Sequence, residues 1–167
     1  ASEIHHVAAV QSEYSLSVRS PELGLVQATK HLGTALIAFS PLGRSLLTDR
    51  PHTTQKIATM EFLKSNPRFI EPNLSANIEA TAKFRALAAE MGTSAAALSI
   101  AWLLHQSGHI IAIPGTRSVP HFLEHCAGAR LNLSKEDIAQ IESILPVGWA
   151  HGDRYSQQQW IGPERYC

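Results

Sequence analysis

Three short apolar runs limit what this chain can fold into. They are "HVAAV" opening at His6, "TALIAF" from Thr34 to Phe39, and "HIIAI" from His109 to Ile113. Each is shorter than an ordinary helix and stops at polar residues, Gly or Pro, as buried strands do. The first run, Val7 to Val10, gives way to Gln11, Ser12 and Glu13, so the far end of that strand meets polar groups. Between the first two runs lies "SPELGLVQATKHLG", with Ser20 as an N-cap, Pro21 at the first helical position and Gly33 as a stop. Strand, helix and strand at this spacing make a βαβ unit, which implies parallel pairing.

From Pro41 to about Leu74 the pattern is irregular, because Pro51, Pro67 and Pro72 exclude a long helix. A helix is then expected in "SANIEATAKFRALAAEMG", with Ala80, Phe84, Leu87, Ala88 and Met91 on one face and Gly92 at its end. Another is expected in "TSAAALSIAWLLHQSG", capped by Thr93 and striped by Ala97, Ile100, Ala101 and Leu104. After the third strand come "SVPHFLEHCAGA" and "SKEDIAQIESIL", the latter starting with a Ser134–Asp137 capping pattern. The chain reads as a single domain over 1–167, with core βα units over 7–145 and an irregular, adhesive tail over 146–167. The class is α/β, with about three parallel strands, fewer than a typical sheet holds. That shortfall raises the expectation that the chain is part of something larger.

Composition narrows the function classes. A hydrophobic fraction of 44% and a charged fraction of 17% describe an ordinary globular chain. Zero formal net charge argues against a surface built for nucleic acid. The two cysteines, Cys126 and Cys167, make no disulfide framework and fit a reducing compartment. No apolar run is long enough to span a bilayer, and "ASEIHH" lacks the regions of a signal peptide. The expectation is a cytoplasmic protein with no membrane insertion.

The stretch "IPGTRSVPHFLEHCAGA" carries two competing sites. His121, Glu124 and His125 spell H-x-x-E-H, an inverted zinc-hydrolase motif. Gly115, Thr116, Arg117 and Ser118 stand where a strand ends and a helix begins, a place that attracts phosphate. Catalytic zinc needs a third ligand, and none that is distinctive lies nearby in sequence. Pro120 also puts His121 in the first helical turn, where a rigid pair of ligands is poorly supported. Phosphate is the expectation, and no metal.

The segments "AAVQSEYSL", "IAFSPLGRSLL", "ALSIAWLLHQ" and "IAIPGTRSVPHFLEHCAGA" resemble successive C-terminal signatures of the aldo-keto reductases, in order and spacing, from Val7 to about Leu145. The resemblance implies the sixth, seventh and eighth strands of a TIM (β/α)₈ barrel, a C-terminal portion that is incomplete as a closed barrel. It also implies NADP(H) as cofactor and a small-molecule carbonyl substrate. Gln11 then holds the nicotinamide carboxamide, since an amide offers a donor and an acceptor. Phe39 stacks on the nicotinamide, while Ser40, Leu42, Gly43 and Arg44 wrap the pyrophosphate. Arg117 and Ser118 grip pyrophosphate and the 2′-phosphate, beside Gly115 and Thr116. Glu124 receives the adenine amino group, and His125 replaces the usual Asn next to it.

The catalytic Tyr, Lys, Asp and His of that family belong to earlier strands, so the resemblance assigns no catalytic residue here. Tyr14, Tyr155 and Tyr166 are the only tyrosines, and none has the family's catalytic context. Tyr14 follows the first strand, from where it could approach a barrel mouth, but it is assigned no catalytic role. The chain alone is therefore expected to be inactive, with a complementary N-terminal half or a second copy as partner. Two other classes stay open: an NADP(H)-binding regulatory module, and a non-catalytic interaction unit that pairs through open strand edges.

Overall fold

The computed structural model describes residues 2–161; residue 1 and residues 162–167, among them Tyr166 and Cys167, lie outside the described residues. Three parallel strands form one sheet in the order β1-β2-β3: Ala9–Glu13 (β1), Ala35–Phe39 (β2) and Ile110–Ala112 (β3). The middle strand coincides with its apolar run. β1 instead lies two residues later than its run and takes in Gln11, Ser12 and Glu13. Register explains the shift, because Ala9 pairs with Ala35 and Glu13 with Phe39. Alternate residues then face opposite sides. Leu36, Ala38 and Ile110 point into the helical core, whereas Gln11, paired with Ile37, stays exposed on the other face. Ile111, on that same face, is 50% exposed.

Among the described residues, helices cover one face of the sheet. They are Leu25–His31 (α1), Thr54–Ala58 (α2), Asn73–Ala80 (α3), Ala82–Glu90 (α4), Ala95–His105 (α5), Val119–Gly128 (α6) and Lys135–Ile144 (α7). Phe84, Leu87, Leu98, Trp102, Leu103 and Ile141 join Leu36 and Ala38 in the main core. A second, smaller core of Leu46, Ile57, Leu63, Phe69 and Leu74 holds the long connection after β2 together. Among the described residues, no single helix is long and apolar enough to cross a membrane.

Several helix boundaries differ from expectation. The helix expected from Ser20 is a tight turn over Ser20–Leu23, preceded by Arg19 as cap, and then α1. Gly24 separates them at φ +142°, a conformation open to glycine and costly for other residues. The helix expected before Gly92 is two helices that meet at Thr81. The buried Thr81 hydroxyl donates to the carbonyls of Asn77 (2.9 Å) and Ile78 (3.1 Å), a competition with helical bonding that bends helices. α5 is capped by Ser94 rather than Thr93, with Ser94 Oγ accepting from Ala97 N at 3.1 Å. It is buried on all sides from Ala95 to Leu103, so the expected stripe is a full wrap. The Ser134–Asp137 capping box forms as read.

The described part of the tail, residues 146–161, has no helix or strand and is firmly attached. Trp149 Nε1 donates to the carbonyl of Leu16 (2.8 Å), and His151 N donates to Asn77 Oδ1 (2.7 Å). Asn66 Nδ2 donates to the carbonyl of Arg154 (2.9 Å). These bonds bring residues 149–155 back toward the end of β1.

Gly128 generates a prediction about α5–α6 packing. A Cβ there would stand 2.5 Å from the carbonyl oxygen of Ala97 and 2.9 Å from its Cα, so the helices would have to separate. Helix propensity alone favours Ala over Gly by roughly 1 kcal/mol. Overpacking costs about 1–3 kcal/mol, and backbone against backbone lies at the severe end of that range. Gly128→Ala should therefore lower stability in urea unfolding; a stabilised variant would contradict the close approach.

Candidate functional site

A cleft of about 1340 Å³ opens at the C-terminal ends of β2 and β3. Phe39, the last residue of β2, lines it half-buried, and Ser40, Leu42 and Arg44 form one wall. The opposite wall is Gly115, Thr116 and Ser118, followed by Glu124 and His125 on α6. Asp49, Arg50, His52 and Phe62 close a third side. Three residues singled out from the sequence lie off this lining. Gln11 is exposed on the open sheet face, Gly43 is buried beneath its loop, and Arg117 is exposed on the rim between Thr116 and Ser118.

The loop after β2 has an unusual backbone. Ser40 (φ +51°), Gly43 (φ +54°), Arg44 (φ +53°) and Ser45 (φ +94°) all occupy the left-handed side. Each non-glycine residue held there costs about 1–3 kcal/mol, so the surroundings must hold it. Gly43 N donates to Ser40 O (3.0 Å), Ser45 N to Leu42 O (3.1 Å), and Leu46 N to Gly43 O (3.2 Å). Ser45 Oγ accepts from His52 N (3.0 Å), and Ser99 Oγ donates to the carbonyl of Pro41 (3.0 Å). At Gly43 a side chain would press on Ser17 Oγ at 3.1 Å and on Leu47 at 3.4 Å, which explains glycine at that position.

Arg44 is the strongest anchor of this loop. Its Nη2 lies 3.0 Å from both carboxylate oxygens of Glu13, which is 1% exposed. Its guanidinium also lies over the rings of Tyr155 (4.8 Å) and Phe62 (5.2 Å). Tyr155 OH donates to Glu13 Oε2 (2.8 Å), and Arg154 Nε stands 3.5 Å from the same oxygen. Burial, then the Glu13 carboxylate, pushes the Tyr155 phenol up to about 12. The charge on Arg44 is thus committed to Glu13. Sequence reading missed Glu13, Arg154 and Tyr155. The available signal was a carboxylate at the end of an apolar run, which has to find a cation if it is buried.

Tyr14 does not approach the mouth. It is fully buried in the helical core, edge-on to Trp102 at 5.9 Å, and its hydroxyl donates to Glu22 Oε1 (2.9 Å). Burial and then the Glu22 carboxylate raise its pKa far above the ordinary phenol value. The strand shift explains the difference, because Tyr14 comes directly after Glu13 and turns to the side that the helices cover.

The α6 end of the cleft suits anions and N–H donors. Ser118 is the N-cap but gives no side-chain cap bond, and Pro120 lies in the first turn. The first N–H groups of an α-helix have no helical partner, so an anion is well placed there. Arg117 makes no hydrogen bond or ion pair among the described residues, and neither does Glu124. His125 is 7% exposed, and its buried Nδ1 has no hydrogen-bond partner among the described residues. Burial pushes the His125 imidazole below its ordinary pKa, with Glu124 opposing and His121 assisting. His121 and His125 share the cleft, but among the described residues no three of His, Cys, Asp and Glu gather as a metal site requires. Ordinary small-molecule sites occupy about 300–1,000 Å³. This larger cleft, with an aromatic ring, a helix start, a cation and two acceptors, suits a long anionic ligand with flat ends.

The sequence model of the Aldo/keto reductase family matches residues 2–146. The chain is 32% identical over 152 residues to a probable aldo-keto reductase of Glycine max. It is 28% identical over 154 residues to an aldo-keto reductase of Strobilurus tenacellus. These alignments take in 91% and 90% of this chain but 44% and 46% of the relatives. The chain therefore spans less than half the length of the curated relatives it matches. Among solved structures, the glycerol dehydrogenase of Gluconobacter oxydans matches with a TM-score of 0.70 at 24% identity, over 86% of this chain and 43% of that one. An aldo/keto reductase of Klebsiella pneumoniae, in complex with NADP and acetate, matches with a TM-score of 0.62 at 19% identity, over 96% and 43%. These structural likenesses support the barrel fold, of which the present sheet shows three strands.

The Glu13 cluster yields the second prediction. Removing one partner of a buried ion pair typically costs about 3–5 kcal/mol, because the other charge is left uncompensated. Glu13→Gln should destabilise the chain on that scale in urea unfolding and should loosen both the 40–45 loop and the tail. Proteolysis should then cut near Arg44 or Arg154. A variant as stable and as protease-resistant as the parent would contradict the anchoring role.

Proposed function

The chain belongs to the aldo/keto reductase family of oxidoreductases, and from that premise we propose that its cleft is the NADP(H) site of an enzyme that reduces aldehydes and ketones to alcohols. One observation carries the proposal. Phe39, Ser40, Leu42, Arg44, Gly115, Thr116, Ser118, Glu124 and His125 come from segments far apart in sequence and line one cleft.

The residues fit such a cofactor in distinct ways. Phe39 offers a ring face at the end of β2, and its flat apolar surface suits a nicotinamide. Gln11 stands on the open face, where its amide can both donate and accept. The start of α6, without a side-chain cap, offers backbone N–H groups to phosphate. Arg44 acts through the loop it anchors, because its own charge is shared with Glu13. Arg117, without a partner on the rim, supplies the cation for a 2′-phosphate, with Ser118 beside it. Glu124 and His125 offer acceptors at the far end. NADPH supplies the hydride when bound. The NADP in the Klebsiella pneumoniae relative supports this choice of cofactor.

Reduction also needs a proton donor beside the carbonyl oxygen. Tyr14 is sealed in the core and Tyr155 is committed to Glu13, so neither serves. In this reading the present residues hold the cofactor, and a complementary barrel half or a second copy supplies acid–base chemistry. The open sheet face, with Ile111 and Ile113 exposed at 50% and 43%, is the surface that such pairing would cover.

Two outcomes follow. Arg117→Met should weaken NADPH by about tenfold or more and leave NADH nearly unchanged, since a charge-assisted hydrogen bond contributes about 1.5–3 kcal/mol. Titration calorimetry with both cofactors reads this, and equal losses would confine Arg117 to the pyrophosphate. The 167-residue chain alone should show no NADPH oxidation with a panel of reactive aldehydes, while a complementary N-terminal half added in trans restores it. Robust turnover by the chain alone would overturn this division of labour and point to Tyr155 as donor.

A further inference from the structure

Two rings enclose the guanidinium of Arg44. Tyr155 lies 4.8 Å away and Phe62 5.2 Å away, measured to the ring centroids, and the two rings meet edge to face at 80°. The charge therefore sits in an aromatic corner, with the Glu13 carboxylate 3.0 Å from Nη2. Both rings are set by the tail. Tyr155 is buried, and its hydroxyl donates to Glu13 at 2.8 Å. Arg154 lies over the Tyr155 ring at 5.1 Å, and the Trp160 ring packs on it at 5.0 Å. Phe62 is tied through its backbone, because Gln159 Nε2 donates to the Phe62 carbonyl at 2.7 Å. Gln159 Oε1 in turn accepts from Ser156 N at 3.0 Å and from Asn66 Nδ2 at 3.3 Å. Phe62 and Arg44 line the cleft, whereas Tyr155, Gln159 and Trp160 do not.

Resting on the reading of the cleft as a dinucleotide site, we infer that Tyr155 is a positioning residue for it: with Phe62 its ring clamps Arg44, so docking of the tail and binding of the dinucleotide favour each other. The reason lies in the backbone of the loop. Ser40, Arg44 and Ser45 hold left-handed φ values of +51°, +53° and +94°, which non-glycine residues leave unless their surroundings hold them. Of these three, Arg44 sends its side chain from the loop into the corner that the tail builds. A cation over a ring is held more firmly where water is excluded, and the Arg44 side chain is 13% exposed. Without the Tyr155 ring, Arg44 keeps its ion pair with Glu13 but can swing about that contact, and the loop wall moves with it. The converse follows from linkage. A dinucleotide that binds the ordered wall favours the docked tail by the same factor as the docked tail favours the dinucleotide. Tyr155 lies off the cleft lining, so it acts through Arg44 rather than on the ligand.

Titration calorimetry with NADPH and hydrogen–deuterium exchange test this on three variants, each checked for folding by circular dichroism. Tyr155→Leu removes the ring, Tyr155→Phe keeps the ring without its hydroxyl, and Ile141→Val loosens the main core outside the clamp. Tyr155→Leu should bind NADPH roughly fivefold more weakly, while Tyr155→Phe and Ile141→Val stay within about twofold of wild type, since one partly desolvated ring contact is lost in the first alone. In the wild-type chain NADPH should slow exchange in residues 152–160 together with residues 43–47. Without ligand, the amides of Gly43, Ser45, Leu46 and Leu47, which are hydrogen-bonded within the loop, should exchange faster in Tyr155→Leu and unchanged in Tyr155→Phe. Undiminished affinity in Tyr155→Leu, an equal loss in Tyr155→Phe or Ile141→Val, or tail exchange indifferent to NADPH would overturn the clamp. Failure of the wild-type chain to bind NADPH would overturn the dinucleotide reading instead. The unliganded exchange then still decides whether Tyr155 positions the loop: faster exchange in Tyr155→Leu supports it, and no change overturns it.

Discussion

A buried carboxylate holds the cleft in shape. Glu13 lies at the end of β1, and its partners Arg44 and Tyr155 lie 31 and 142 residues further along the chain. Burying such a charge costs several kcal/mol after relaxation, and only close, well-directed partners offset it. Two guanidiniums and a phenol do so here. Through Arg44 the same contact fixes a loop whose backbone would otherwise leave the left-handed region. Through Arg154 and Tyr155 it fastens the tail over the same end of the sheet. Without Glu13, the loop wall of the cleft and residues 154–155 would lose the charged contact they share, leaving ring contacts and neutral hydrogen bonds such as Ser99–Pro41 and Trp149–Leu16 to hold them.

The one-sided sheet shapes everything else. Leu36, Ala38 and Ile110 bury one face against α4, α5 and α7, while Gln11, Ile37 and Ile111 alternate onto the other. That second face carries the exposed Ile111, and β1 and β3 are the outer strands of the described sheet. In a parallel α/β arrangement the site forms at the C-terminal ends of the strands. There Phe39, the loop after β2 and the start of α6 converge. The architecture and the proposed cofactor site therefore share one origin, namely which end of each strand the connecting loops leave from.

Much of this was legible in the sequence, for local reasons. β2 is a pure apolar run, α7 announces itself through its capping box, and Gly33 and Gly92 stop helices by adopting positive φ. What was not legible depended on partners distant in sequence. β1 begins later than its apolar run because pairing with Ala35 sets its register. Gly24 breaks a helix that composition alone would continue, and Thr81 bends another through its hydroxyl. The pairing of Arg44 with Glu13 was not legible, because nothing local reveals a partner 31 residues away. Tyr14 read as mouth-facing because its direction follows from the same register. The cleft residues were found through the family resemblance, but the unpaired Nδ1 of His125 emerges only when α5 and α6 are packed.

The central claim is that the loop after β2 and the start of α6 hold a dinucleotide between them. Hydrogen–deuterium exchange with and without saturating NADPH addresses it most directly, because it reads individual backbone segments and needs neither turnover nor substitution. The account predicts slower exchange in residues 40–46 and 115–122, with α2 and α7 unchanged. Protection absent from both segments, or confined to the open sheet face, would contradict it.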